Sequence, residues 1–115
     1  MRIISFSKMW EKLSQAEFTT FRFPRKDRDW ERGEVVQVYF KSRSPERERL
    51  GIAAIIFKEI RFDGKPETDV TRAEAIADGF CSIRDMENWM IKTHGMVKAW
   101  KPMNKLTLRW VPDEK

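Results

Sequence analysis

The stretch Leu50-Gly51-Ile52-Ala53-Ala54-Ile55-Ile56-Phe57-Lys58-Glu59-Ile60-Arg61-Phe62 decides the fold. It is rich in β-branched and aromatic residues and contains no proline, so it reads as a strand. Residues 50–57 carry no charge, which predicts a central strand. Asp63-Gly64-Lys65-Pro66 follows as a turn signal. Upstream, Glu34 to Lys41 alternates through Val36, Val38 and Phe40 and reads as a partner strand. The segment Ser42 to Arg49, highly charged and containing Pro45, forms the hairpin tip between the two.

Working outward, Arg2 to Phe6 and Phe18 to Phe23 also read as strands, the second ended by Pro24. Between them, Ser7 is expected to cap a helix over 8–15, where Met9, Leu13 and Ala16 have near-helical spacing. Downstream of the central strand the period changes. Thr71 with Glu74 three residues on is a capping-box pattern opening a helix to about Asp78, which Gly79 stops. Ser82 with Asp85 opens a second helix, with Ile83, Met86, Trp89 and Met90 on its apolar face, ending at His94-Gly95. His94 is expected to cap that helix, and Cys81 to be a buried small hydrophobe. Residues 105–111 alternate as a last strand. The order β-α-β-β-β-α-α-β predicts an α+β chain, a small mixed β-barrel with peripheral helices.

The chain has 115 residues, of which 41% are hydrophobic. That length fits one domain over 1–115 with a core at about 2–111, and it is too short for a TIM barrel or a two-domain enzyme. The longest apolar run, 51–57, is far below the ~18–20 residues of a membrane span. The opening Met1-Arg2-Ile3-Ile4-Ser5 shows no signal-peptide apolar region, so a cytoplasmic protein is expected. A lone Cys81 excludes an internal disulfide and a cysteine-based zinc site, and a lone His94 excludes a histidine cluster. No phosphate-loop or dinucleotide glycine fingerprint is present, and no motif places a Ser/His/acid triad. No metal and no cofactor are expected.

Charge is uneven. The net charge is +5. Residues 22–49 hold nine basic and six acidic groups, residues 58–87 five and eight, and residues 88–115 six and two. Basic stretches interleaved with aromatics suit a polyanion with stackable bases. The loop Arg25-Lys26-Asp27-Arg28-Asp29-Trp30-Glu31-Arg32 could grip a phosphate backbone and stack a base on Trp30; the other reading is a self-neutralised loop with Trp30 tucked into the barrel. Lys41 and Arg43, with Arg47 and Arg49, form a second basic set at the hairpin tip. Lys98, Trp100, Lys101 and Lys105 form a third. Thr20 and Arg22 share one strand face, opposite Phe21 and Phe23. If the phenylalanines face the core, Thr20 and Arg22 face outward or into a cleft. Asp78 sits at a helix C-terminus, where the dipole disfavours a carboxylate, so a compensating cation is expected, with Arg22 the candidate.

This order and its punctuation resemble the activating-signal-cointegrator homology (ASCH) family, whose domains have a PUA-like β-barrel fold. Four features carry the resemblance. Thr20-Phe21-Arg22 looks like the end of the family's Gly-x-Lys-x-x-Thr-x-Arg motif. Arg32-Gly33-Glu34-Val35-Val36 is like its Gly-acidic turn into a strand. Ala75-Ile76-Ala77-Asp78-Gly79-Phe80, followed by Ser82 and a helix, is like its acidic, Gly-aromatic junction. The alternating strand from Leu106 to Val111 closes the pattern. The resemblance implies RNA binding in a cleft beside the barrel, with Thr20, Arg22 and Asp78 in the cleft. It also implies an alternative, since one bacterial branch resembles an acetylcytidine amidohydrolase using lysine, threonine and glutamate. Here the motif's lysine falls on Glu17 and its glycine on Gln15, and the acid is the shorter Asp78. A carboxylate cannot replace an amine nucleophile, so no such hydrolysis is expected. Lys8 and Lys12 are other amines nearby, but no spacing places either in the cleft.

The expected function is binding of RNA or a nucleotide-containing ligand through Thr20, Arg22, Asp78, Arg25, Lys26, Arg28, Trp30, Lys41 and Arg43; the alternatives are a small hydrolase acting on a modified nucleoside in that cleft and a protein-interaction module meeting an acidic partner.

Overall fold

In the computed structural model, residues 1–25, 27–61, 69–95 and 101–112 are described. Five strands form one mixed sheet: β1 (Ile3–Phe6), β2 (Glu17–Arg22), β3 (Val35–Phe40), β4 (Glu48–Arg61) and β5 (Met103–Val111). Two helices, α1 (Arg72–Ala77) and α2 (Ile83–His94), lie between β4 and β5 in the chain. The sheet order is β1-β3-β4-β5-β2, which puts the apolar β4 at the centre. Only the β1–β3 pair is parallel; β3–β4, β4–β5 and β2–β5 are antiparallel.

The sheet curls into a half-barrel and stops short of closure, where the sequence predicted a barrel. Register shifts between Val38 and Tyr39 and between Ile55 and Phe57 supply the bends. The two edge strands, β1 and β2, come close without a hydrogen-bonded ladder. Side chains bridge the seam instead. Arg22 on β2 donates from its terminal guanidinium nitrogen to the Ser5 carbonyl on β1 at 2.8 Å, and Phe6 meets Phe18 edge to face at 6.1 Å.

Side chains pack in two layers. Inside the curl lie Ile4, Phe6, Phe18, Val36, Val38, Ala53, Ile55, Leu106 and Leu108, with Trp30. Each buried Val, Leu, Ile or Phe side chain among them contributes about 1.5–3 kcal/mol. The outer face of β2 and β5 carries the helices, through Val70, Ala75, Phe80, Met86, Met90 and Met103, flanked by Phe21 and Phe23. Both faces of β2 are therefore covered. Phe18 and Thr20 point into the curl, while Phe21 and Phe23 pack beneath the helices. Trp10 touches both layers.

Helix ends follow their capping residues. The Thr71 hydroxyl accepts from the Glu74 N–H and the Glu74 carboxylate accepts from the Thr71 N–H, a reciprocal capping box. Ser82 caps α2 by accepting from the Asp85 N–H. At the end of α1, Phe80 N–H donates to the Ala75 carbonyl at 2.9 Å and Gly79 N–H to the Ile76 carbonyl at 3.0 Å, which is a Schellman turn. Gly79 has φ +111, and a Cβ there would sit 2.6 Å from Trp10 Cε3. Glycine is needed for both backbone conformation and the close approach of an aromatic ring.

Several expectations change. The helix over 8–15 is one 3-10 turn, Glu11–Ser14, and its N-cap is Trp10 rather than Ser7. The turn has no side-chain N-cap bond, and Trp10 is held instead by ring packing against Phe80 and Trp89. Cys81 is exposed, because it stands in the short link between the helices. Gly95 (φ 87), rather than His94, caps α2; the His94 ring stands edge-on to Phe23 at 5.0 Å. The turn at 63–66, Lys98 and Trp100 lie outside the described residues.

Candidate functional site

The seam between β1 and β2 opens into a cavity of about 350 Å³. Its walls are aromatic and apolar: Phe6, Trp10, Phe23, Phe80, Trp89 and Met90 line it. Its polar groups include Lys12, Thr20, Arg22 and Asp78, with Ser5, Ser7, Arg25, Thr93 and His94 also lining it. Trp10 meets Phe80 at 5.3 Å and Trp89 at 5.5 Å, both edge to face, so the wall is built of interlocked rings.

The Schellman turn brings Asp78 to this place. Its backbone ends α1, its carboxylate is buried, and the dipole there calls for a cation. That cation is Lys12, whose Nζ donates to Asp78 Oδ1 at 2.8 Å with the two side chains only 6% and 8% exposed. Thr19 Oγ1 lies 3.5 Å from the same oxygen. Lys12 Nζ also lies 5.4 Å from the ring centroids of both Phe6 and Trp10. Burial lowers the Lys12 ammonium pKa despite the attraction of Asp78. Burial raises the Asp78 carboxyl despite Lys12, Arg22 and Thr19. Both partners are thus pushed toward their neutral forms, as expected where desolvation outweighs pairing.

Arg22 was the predicted partner of Asp78 and is not hydrogen-bonded to it. Its Nε donates to Thr20 Oγ1 at 3.2 Å and a terminal nitrogen to the Ser5 carbonyl. Its guanidinium carbon lies 4.8 Å from the Phe6 ring centroid. Burial lowers its pKa to about 10, with Asp78 opposing, so it is a cation at neutral pH. Two of its five N–H groups are committed by these bonds, leaving three unclaimed among the described residues.

Thr20, Arg22 and Asp78 therefore line one cavity, and Lys12 joins them there. Its partner lies 66 residues away, so no local spacing signals the pair. Glu17, at the register of the resembled motif's lysine, is exposed, does not line this cavity and pairs with Arg109 at 2.7 Å. The premise that the cleft lacks an amine fails: Lys12 supplies one from the preceding 3-10 turn. Lys8 stays exposed, with its Nζ 4.3 Å from the Trp10 ring centroid.

A second, wider groove of about 950 Å³ shares Ser5, Ser7, Arg22, Arg25 and Trp30 with the aromatic cavity and continues to Lys41 and Arg43 on the hairpin. Arg25 is exposed and pairs with Asp27 at 3.1 Å. Arg28 is set apart from the groove, 3.6 Å from Glu34. Trp30 is only 4% exposed, so it cannot serve as a stacking platform. Its ring lies under the guanidinium groups of Arg2 and Arg25, at 4.4 and 5.5 Å. The charged loop folds over it because its apolar ring completes the inner layer. Lys26 lies outside the described residues. Lys101 is exposed away from both cavities, and Lys105 is tied to Glu74 at 2.7 Å.

Among the described residues, no three His, Cys, Asp or Glu side chains are grouped to hold a metal ion, and no helix is long and apolar enough to cross a membrane. No family model, no curated protein and no solved structure matches the chain.

Proposed function

We propose that the chain binds RNA or a nucleotide-containing ligand, with a base in the seam cavity and phosphate in the adjoining groove. The observation that carries this is a cavity with interlocked aromatic walls and a cationic floor, opening onto a basic groove. A flat heterocycle gains from contact with the half-buried Trp10 and Trp89, and its carbonyl oxygens meet the unclaimed N–H groups of Arg22. The resemblance to the ASCH family supports the same reading, and we extend it to the fold: the half-barrel is taken as PUA-like. The test is fluorescence anisotropy of a labelled single-stranded RNA. The expected result is salt-dependent binding that weakens about tenfold in Trp89→Leu, since base stacking is worth about 1–3 kcal/mol. No binding at low salt would contradict the reading.

A second reading is hydrolysis of an acylated nucleoside in the same cavity. The buried Lys12–Asp78 pair with Thr19 and Thr20 beside it favours this. A pair pushed toward its neutral forms offers an amine that can take a proton from water. Arg22 is the group able to face a developing oxyanion. Acetylcytidine turnover by the purified protein, lost in Lys12→Met, is the outcome that selects this reading. Absence of turnover removes it and leaves binding alone.

A further inference from the structure

We infer that the groove beside the aromatic cavity is a phosphomonoester subsite anchored by Lys41, so that the ligand is a nucleotide or an RNA end bearing a terminal phosphate. The inference rests on the base-binding reading above and narrows its ligand class.

Lys41 has φ 48 and is the one non-glycine residue with positive φ among those described. A side chain there costs roughly 1–2 kcal/mol relative to glycine. The conformation is held by hydrogen bonds around it. Lys41 N–H donates to the Phe6 carbonyl at 2.8 Å, Ser44 N–H to the Lys41 carbonyl at 3.0 Å, and Ser42 N–H to Ser5 Oγ at 3.0 Å. These bonds need the backbone of residue 41 and not its side chain. The side chain itself pairs with Glu46 at 3.0 Å, where the two partners are 38% and 69% exposed, and its Nζ stands 5.2 Å from the Phe40 ring centroid. A pair that exposed contributes little to stability. The fold therefore gains little from lysine at a position where glycine would be unstrained, and strain of this kind collects at ligand sites.

The surroundings supply the rest of an anion site. Among the described residues, five cationic side chains and one carboxylate, Asp27, line the groove. Arg2 is committed to Glu34, which leaves Arg22, Arg25, Lys41 and Arg43. Arg43 has no ion pair or hydrogen bond among the described residues, and Arg22 keeps three N–H groups unclaimed. The Ser42 and Ser44 side chains line the same groove. Guanidinium forks beside hydroxyl groups match phosphate oxygens. A terminal phosphate, carrying nearly two charges at neutral pH, gains more from such convergence than a singly charged diester. Because Arg22 lines both cavities, base and phosphate lie within one nucleotide of each other.

The experiment is calorimetry with uridine, uridine 5′-monophosphate, and a short single-stranded RNA with and without a 5′-phosphate. The monophosphate should bind at least about tenfold tighter than the nucleoside, the range expected of charge-assisted hydrogen bonds. A matching gain for the phosphorylated RNA identifies a strand end as the source; a gain confined to the monophosphate identifies a free nucleotide. Lys41→Gly should melt at the same temperature or higher, because it relieves φ 48, yet lose about tenfold of the phosphate gain while uridine affinity is unchanged. Lys41→Asn, which also tolerates the left-handed conformation, should show the same split even if glycine loosens the turn. Equal affinity for uridine and its monophosphate overturns the inference and leaves the base-binding reading intact. A phosphate gain that survives in both variants overturns the role of Lys41. Failure of every ligand to bind overturns both readings.

Discussion

Removing one member of the buried pair at the seam should be far more costly than removing both. Lys12 and Asp78 meet at 2.8 Å with almost no exposure. Lys12→Met leaves a buried carboxylate beside Thr19 and Arg22, and Asp78→Leu leaves a buried ammonium between two aromatic rings. Each single variant is expected to lose about 3–5 kcal/mol, the usual cost of an uncompensated buried charge. The double variant Lys12→Met with Asp78→Leu should recover to within about 1 kcal/mol of the parent, or exceed it, because both groups are already pushed toward neutrality by burial. The pH dependence has a definite sign. The folded Asp78 pKa is raised above 3.8, so in the interval above that value the folded state holds more protons and stability falls as pH rises. The folded Lys12 pKa is lowered below 10.5, so stability rises as pH approaches 10.5 from the folded value. Both trends should vanish in the double variant. Urea denaturation of the four proteins, combined as a double-mutant cycle, gives the coupling. A cycle in which the losses simply add, or single variants that lose under about 1 kcal/mol, would refute the argument that the pair is desolvated.

Two further outcomes concern the scaffold of the site. Burial would raise the Glu74 carboxyl, but hydrogen bonds from Arg61 and Lys105 outweigh it and hold it at about 2, against 4.5 unperturbed. This contributes at most about 3 kcal/mol, present above pH ~4.5 and lost as pH falls toward ~2; acid unfolding of Glu74→Gln should lack that dependence. Gly79→Ala should lower stability by about 2 kcal/mol or more, because it combines φ +111 with a Cβ 2.6 Å from Trp10; a thermal melt within a degree of the parent would contradict the packing described at the cavity wall.

Much of the fold was legible because it depends on local patterns. The uncharged run within residues 50–57 marks a central strand, and Thr71 with Glu74, Ser82 with Asp85, and Gly79 mark helix ends through bonds spanning a few residues. The aromatic residues were harder to place. Alternation separates Phe21 and Phe23 from Thr20 and Arg22, yet β2 is covered on both faces, so alternation cannot say which layer each face belongs to. Trp30 sits in a charged loop, and only tertiary packing shows that the loop folds its ring inward. The site was legible in part. Thr20, Arg22 and Asp78 were singled out by strand spacing and helix-end electrostatics. Lys12 was not, because a cation chosen to neutralise a helix end 66 residues away leaves no periodic trace. The general expectation that a carboxylate at the end of α1 needs a cation was sound; Arg22 was the candidate because no spacing places Lys12 in the cleft, and the cation paired with Asp78 is Lys12, from a single 3-10 turn.

The most direct measurement of the central claim is photocrosslinking of a single-stranded RNA containing 4-thiouridine, with the linked residues read by mass spectrometry. The account predicts crosslinks to Trp10, Phe80 or Trp89 on the wall of the seam cavity, abolished by excess nucleotide. Crosslinks confined to other surfaces, such as Met9, Leu50 and Trp110 in the groove that shares only Trp10 with the seam cavity, would contradict it, as would the absence of any specific crosslink.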